Sequence, residues 1–118
     1  MTMRPLYLRF VPADEDTDGI ADDLTGVGPW TPNIASGPSD GLSHQLSLSS
    51  AADLSAITIT IVGTDADGRA VTEARAGPNA NTVETSAFFK TVTSITARAT
   101  LGANTMDVGW VDEFVSQT

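Results

Sequence analysis

The chain has 118 residues, a formal net charge of −9, no cysteine and an apolar fraction of 41%. That length suits one domain with one core, and the apolar fraction is globular rather than disordered. Disulfides, thiolate metal sites and thiol catalysis are excluded, the acidic balance disfavours nucleic acid and anionic membranes as partners, and no apolar run approaches the ~20 residues of a spanning helix.

Residues 4–11 place Leu6, Leu8 and Phe10 on one face of a strand and Tyr7 and Arg9 on the other. Pro12 ends it, and no signal-peptide core precedes it, so no leader is expected. Residues 13–41 lose all period: Asp14, Asp16, Asp18, Asp22 and Asp23 are followed by a Gly- and Pro-rich stretch. The expectation is an extended arm anchored by Trp30 and Ile34, since long irregular segments in small domains are often functional. From Leu42 the pattern is regular. Leu42, His44, Leu46 and Leu48 alternate with Ser43, Gln45, Ser47 and Ser49, and residues 51–54 connect to the next strand.

Ile57, Ile59 and Ile61 share the inward face of a strand, and Asp65-Ala66-Asp67-Gly68 is a turn in which Asp holds backbone N–H groups and Gly supplies φ > 0. Residues 69–76 return as its partner with Val71 inward, and residues 77–81 turn again. Residues 82–85 form a short strand or link. Phe88 opens a longer strand to residue 99, where Val92 and Ile95 are three apart, so a bulge is expected near Thr93-Ser94. Residues 101–104 turn, residues 105–110 close the sheet, and an acidic tail follows.

Twenty-six Ser and Thr against one Lys suit pleated surfaces rather than helical ones. Turns every eight to twelve residues or so complete the reading: an all-β chain, a single antiparallel β-sandwich or small barrel with a long irregular N-terminal arm. It is one domain over 1–118, divided into strand plus arm (1–41), sandwich core (42–110) and tail (111–118).

Little in the sequence carries chemistry. Asp14, Asp16, Asp18 and Gly19 match the opening D-x-D-x-D-G of a calcium loop, but the twelfth position is Thr25 where a bidentate Glu is needed. A solvated or docking surface is preferred, with Asp14, Asp16 and Asp18 as the candidate calcium ligands, Asp22 and Asp23 able to help only through a different geometry, and no cofactor expected. His44, the one histidine, has no evident nucleophile or orienting partner, and Ser43 and Ser47 lie on the other strand face. The glycines near Val27 make no phosphate loop. Trp30, Trp110, Phe88 and Phe89 read as core or interface anchors before they read as a sugar-stacking platform. The six cations are scattered and form no nucleic-acid stripe.

The runs 57–73, 76–83, 89–96 and 101–109 resemble small β-rich structural proteins of tailed bacteriophages, over roughly residues 42–110. The resemblance implies a virion component without catalytic residues, assembled in the host cytoplasm. The expectation is a head decoration or cement protein bridging major capsid protein or other virion subunits, as a homo-oligomer with a trimer as the leading state. Contacts are expected from Leu6, Tyr7, Leu8, Phe10, Trp30 and Ile34, with no enzyme activity, nucleic acid or membrane. The alternatives are a neck or tail accessory protein and, in another class, a carbohydrate-binding module using Trp30 and Trp110.

Overall fold

The computed structural model describes residues 16–39 and 41–115, the side chains of 112–115 excepted. The expected contact residues Leu6, Tyr7, Leu8 and Phe10, and the candidate ligand Asp14, lie outside that range. Seven strands follow in chain order: β1 (Asp16–Thr25), β2 (Ser43–Ser49), β3 (Thr58–Thr64), β4 (Ala70–Ala76), β5 (Thr82–Phe89), β6 (Thr91–Ala97) and β7 (Thr105–Val115). They form two antiparallel sheets, β1-β7-β2-β5 and β4-β3-β6, packed face to face as a sandwich. No helix occurs among the described residues.

The second sheet follows the sequence closely. In β3 burial alternates, with Ile59 and Ile61 wholly inside and Thr58, Thr60 and Thr64 half-exposed. Ile57 sits just before the strand, half-buried against the same core. Asp65 organises the β3–β4 turn: its Oδ1 accepts the N–H groups of Asp67 at 2.9 Å and Arg69 at 3.0 Å, and Gly68 takes φ 82°. The expected bulge is present. Val62 pairs with Ser94 and Gly63 with Val92, leaving Thr93 extra. A side chain at Gly63 is impossible without backbone movement, because its Cβ would stand 1.9 Å from the Thr91 carbonyl oxygen.

Three features differ from the sequence reading, each for a physical reason. Residues 16–25 form β1 rather than loop. Four residues, 17–20, oppose Gly109, and Asp22 and Asp23 both oppose Asp107, so the two-residue period is broken twice. Ile20, Ala21 and Leu24 still reach the core. Residues 82–89 are one strand, not a short link followed by a new strand at Phe88; the chain crosses between sheets at Lys90. Three residues of β5, Thr85 to Ala87, oppose Leu46 alone. Thr85 Oγ1 mends this irregularity by accepting the Leu46 N–H at 2.9 Å and donating to the Ala87 carbonyl at 2.8 Å. Finally, β7 runs on to Val115, pairing Phe114 with His44 where a tail was expected. A matching irregularity there frees the Val111 carbonyl, which accepts a bond from His44 Nδ1 at 2.5 Å. A carbonyl only accepts, so the proton lies on Nδ1.

Both open sides of the sandwich are closed. On one side, β4 meets β5 through side chains. The Glu73 carboxylate accepts the N–H groups of Ser86 at 2.8 Å and Ala87 at 2.7 Å, and Arg75 donates to the Glu84 carbonyl. On the other side, residues 26–39 run as a strap between β1 and β6. Ile34 and Ala35 donate to Ile20 O at 3.0 and 3.3 Å, while Trp30 exchanges two backbone bonds with Ile95 at 2.8 and 2.9 Å. The Val92 N–H donates to Ser36 O at 2.6 Å. The segment read as an outward arm therefore covers the edges of its own sheets, the usual protection against strand pairing between chains.

Candidate functional site

The irregular pairing of β1 with β7 brings acidic groups together. Asp22 and Asp23 sit opposite Asp107, and Asp23 takes φ 56°, a left-handed conformation that Asp tolerates better than most residues. The Asp23 N–H donates to Asp107 Oδ1 at 2.9 Å. Asn33 of the strap fixes Asp22 from the other side, accepting its N–H and donating to its carbonyl, both at 2.9 Å. Carboxylate oxygens of Asp22, Asp23 and Asp107 all lie within 4.8 Å of one another.

Asp16 and Asp18 extend the face, and the Asp18 N–H approaches Asp16 Oδ1 at 3.3 Å. The Asp18 carboxyl is held above its ordinary value of 3.8, first by a hydrogen bond with Asp16, then by lost hydration and the charges of Asp16 and Asp107. Asp22 is raised likewise, first by a hydrogen bond with Asp107, then by lost hydration and the surrounding aspartates. Like charges this close favour a shared proton over two ionised groups. The same oxygens suit a hard cation, which takes six to eight or so oxygen ligands. The close triad is Asp22, Asp23 and Asp107. Asp16 and Asp18, from the expected calcium loop, pair with each other beside it.

Among the described residues, no lysine or arginine pairs with these carboxylates. Next to Asn33 the strap exposes Ile34 at 60%, and elsewhere along it Val27 at 76%.

The other candidate residues lie elsewhere. Trp30 is half-buried against the core, and its Nε1 donates to the Thr25 carbonyl at 3.1 Å. Trp110 is 4% exposed, against Gly19 and 6.3 Å from the His44 ring, so it offers no open face for a sugar. His44 is wholly buried. Asp107 was missed as a site residue because nothing local in the sequence links it to Asp22; the adjacent Asp22-Asp23 pair was the only available signal.

Comparison with protein-family models, curated proteins and solved structures returns no match.

Proposed function

We propose that this protein is a non-catalytic structural component of a bacteriophage virion, a decoration or cement protein that stabilises the head by bridging capsid subunits. The observation that carries the reading is the acidic face on β1 and β7, with which no described lysine or arginine pairs, and the exposed Ile34 at its border. Carboxylates held by backbone bonds on paired strands present a fixed pattern of negative charge. Such a surface steers a basic partner and sets its register, while a bordering apolar side chain supplies contact area. The covered sheet edges support the same reading, since attachment then runs through faces rather than through strand addition. A homo-oligomer on a symmetric shell repeats each weak contact, so avidity replaces individual affinity.

The test is quantitative mass spectrometry of purified phage particles that carry this chain's gene. Hundreds of copies per particle are expected. A ring-sized copy number would move the protein to the neck or tail, and its absence from particles would refute the proposal.

A further inference from the structure

The outer face of the β4-β3-β6 sheet carries no charge. On β3 it presents Thr58, Thr60, Val62 and Thr64, half-buried, while Ile59 and Ile61 point the other way into the core. The ladder to β4 sets Ala76, Ala74, Thr72 and Ala70 across from them, all exposed. The ladder to β6 adds Thr96, Ser94 and Thr91. The chain as a whole holds 15 acidic and 6 basic residues. Among the described residues, those near this face stand past its ends: Asp65, Asp67, Arg69 and Lys90 around the β3–β4 turn, and Arg98 after β6.

Strand β4 shows that folding alone does not call for this neutrality. Exposed edge strands are usually protected by charge. β4 keeps its charges on the inward side instead, where Glu73 and Arg75 lie across from Ile61 and Ile59 and bond to β5. Its outward positions are three alanines and a threonine. Alanine contributes little to a strand that faces water. Against a second sheet it does contribute, since short side chains leave no gap between facing layers.

Charge selects that second surface. Copies of a chain at −9 repel one another, and contact through β1 and β7 would set Asp22, Asp23 and Asp107 against their own kind. Pairing through the neutral face avoids this. Sheets stack about 10 Å apart, so the two acidic faces would then stand about 30 Å apart, several Debye lengths at physiological salt.

We infer that two copies of this chain pair through this face, sheet on sheet, about a two-fold axis. Three strands of 7 residues span about 14 by 24 Å, so the pair covers on the order of 700 Å². That is below the roughly 1,000 Å² of a stable complex, so the contact is transient, with a Kd on the order of 100 µM. It forms between free copies, on the opposite sheet from the face assigned to the shell, and so stands or falls apart from the proposed function.

The test is sedimentation equilibrium of the full chain from about 20 µM to 1 mM, with ¹H–¹⁵N spectra over the same dilution series. A monomer–dimer equilibrium is expected, with concentration-dependent shifts at residues 58–64, 70–76 and 91–97. Ala74→Glu should weaken it at least about tenfold, because symmetry sets two new charges in one neutral contact. Ala51→Glu, the same charge on an exposed connection, should leave it unchanged. Thr96→Lys, on the opposite edge strand, should also weaken it, although it lowers the net charge and so the general repulsion. Added salt should leave the association unchanged or tighten it.

A chain that stays monomeric at 1 mM or so overturns the inference, as does a trimer, which a face paired with itself cannot make. Dimers that survive both Ala74→Glu and Thr96→Lys, that dissociate in salt, or whose dilution shifts fall on β1 and β7 overturn it as well.

Discussion

Replacing Glu73 tests whether one side of the sandwich is held by side chains alone. The Glu73 carboxylate accepts Ser86 N–H at 2.8 Å and Ala87 N–H at 2.7 Å, where β5 loses its ladder to β2. A hydrogen bond to a charged acceptor contributes about 1.5–3 kcal/mol when shielded from water. Ser86 is exposed and Ala87 half-buried, so water recovers most of the first bond and part of the second. Glu73→Ala should therefore cost about 2 kcal/mol, and Glu73→Gln, which keeps one acceptor, about 1 kcal/mol. For a chain of this size those losses correspond to roughly 8 °C and 4 °C in melting temperature. Urea titration should show a lower midpoint at unchanged slope, since the surface exposed on unfolding is the same. Hydrogen exchange should accelerate at the amides of Ser86 and Ala87 before any other part of β5. If Glu73→Ala lies within about 0.5 kcal/mol of the parent, the range expected of an ordinary surface change, the side-chain closure carries no weight and the reasoning fails.

Ile59→Ala should cost about 2–5 kcal/mol by chemical denaturation, because the side chain is wholly buried and the cavity has little room to collapse. Gly63→Ala should destabilise by more than about 1 kcal/mol, since the added carbon meets backbone that the Thr93 bulge holds in place; a neutral result would disprove that close approach. The raised carboxyls of Asp18 and Asp22 mean that folding takes up protons. Their stabilisation is complete below 3.8 and disappears as pH rises through the raised values. Asp53, lowered by hydrogen bonds from Ser55, acts oppositely, stabilising above 3.8 and losing that contribution as pH falls through its lowered value. Asp107→Asn keeps an acceptor for the Asp23 N–H and removes the charge facing Asp22. It should raise the melting temperature at neutral pH, with the gain shrinking as pH falls; a constant gain would show that the two carboxyls are not linked.

The β3–β4 hairpin was legible because two local signals agreed: isoleucines alternating at 57, 59 and 61, and a turn whose Asp and Gly are required by backbone geometry. The Thr93 bulge was legible as a three-residue gap between apolar positions. Strand β1 was not, because two irregularities scramble its alternation and aspartate is a poor strand former. Strand β5 was split for the same reason, since the apolar pattern stops where Thr85 and Glu73 take over from the ladder. The strap is legible as irregular, and of its two expected anchors Trp30 packs on the core while the Ile34 side chain is exposed; the direction of its backbone bonds is hidden. Backbone groups of Ser36 and Ile34 carry no side-chain signature of what they meet. The acidic face was half legible: its β1 aspartates stand close in sequence, whereas Asp107 joins them only through a strand pairing that spans most of the chain.

That pairing also governs when the molecule can become itself. Gly26 exchanges backbone bonds with Leu101 and Gly102, and among the described strands β1 pairs only with β7, so β1 is completed by the last of them. On a ribosome, β2, β3 and β4 can meet while β1 and the strap still wait for partners not yet made. Until β6 emerges the strap has no edge to cover, and until β7 emerges Ile20 and Leu24 belong to a strand whose ladder partner is missing. Closing so many distant pairs makes folding slow, and the waiting interval is when neighbouring nascent chains can capture one another. Yield should therefore depend on synthesis rate and temperature more steeply than the stability of the finished sandwich would suggest.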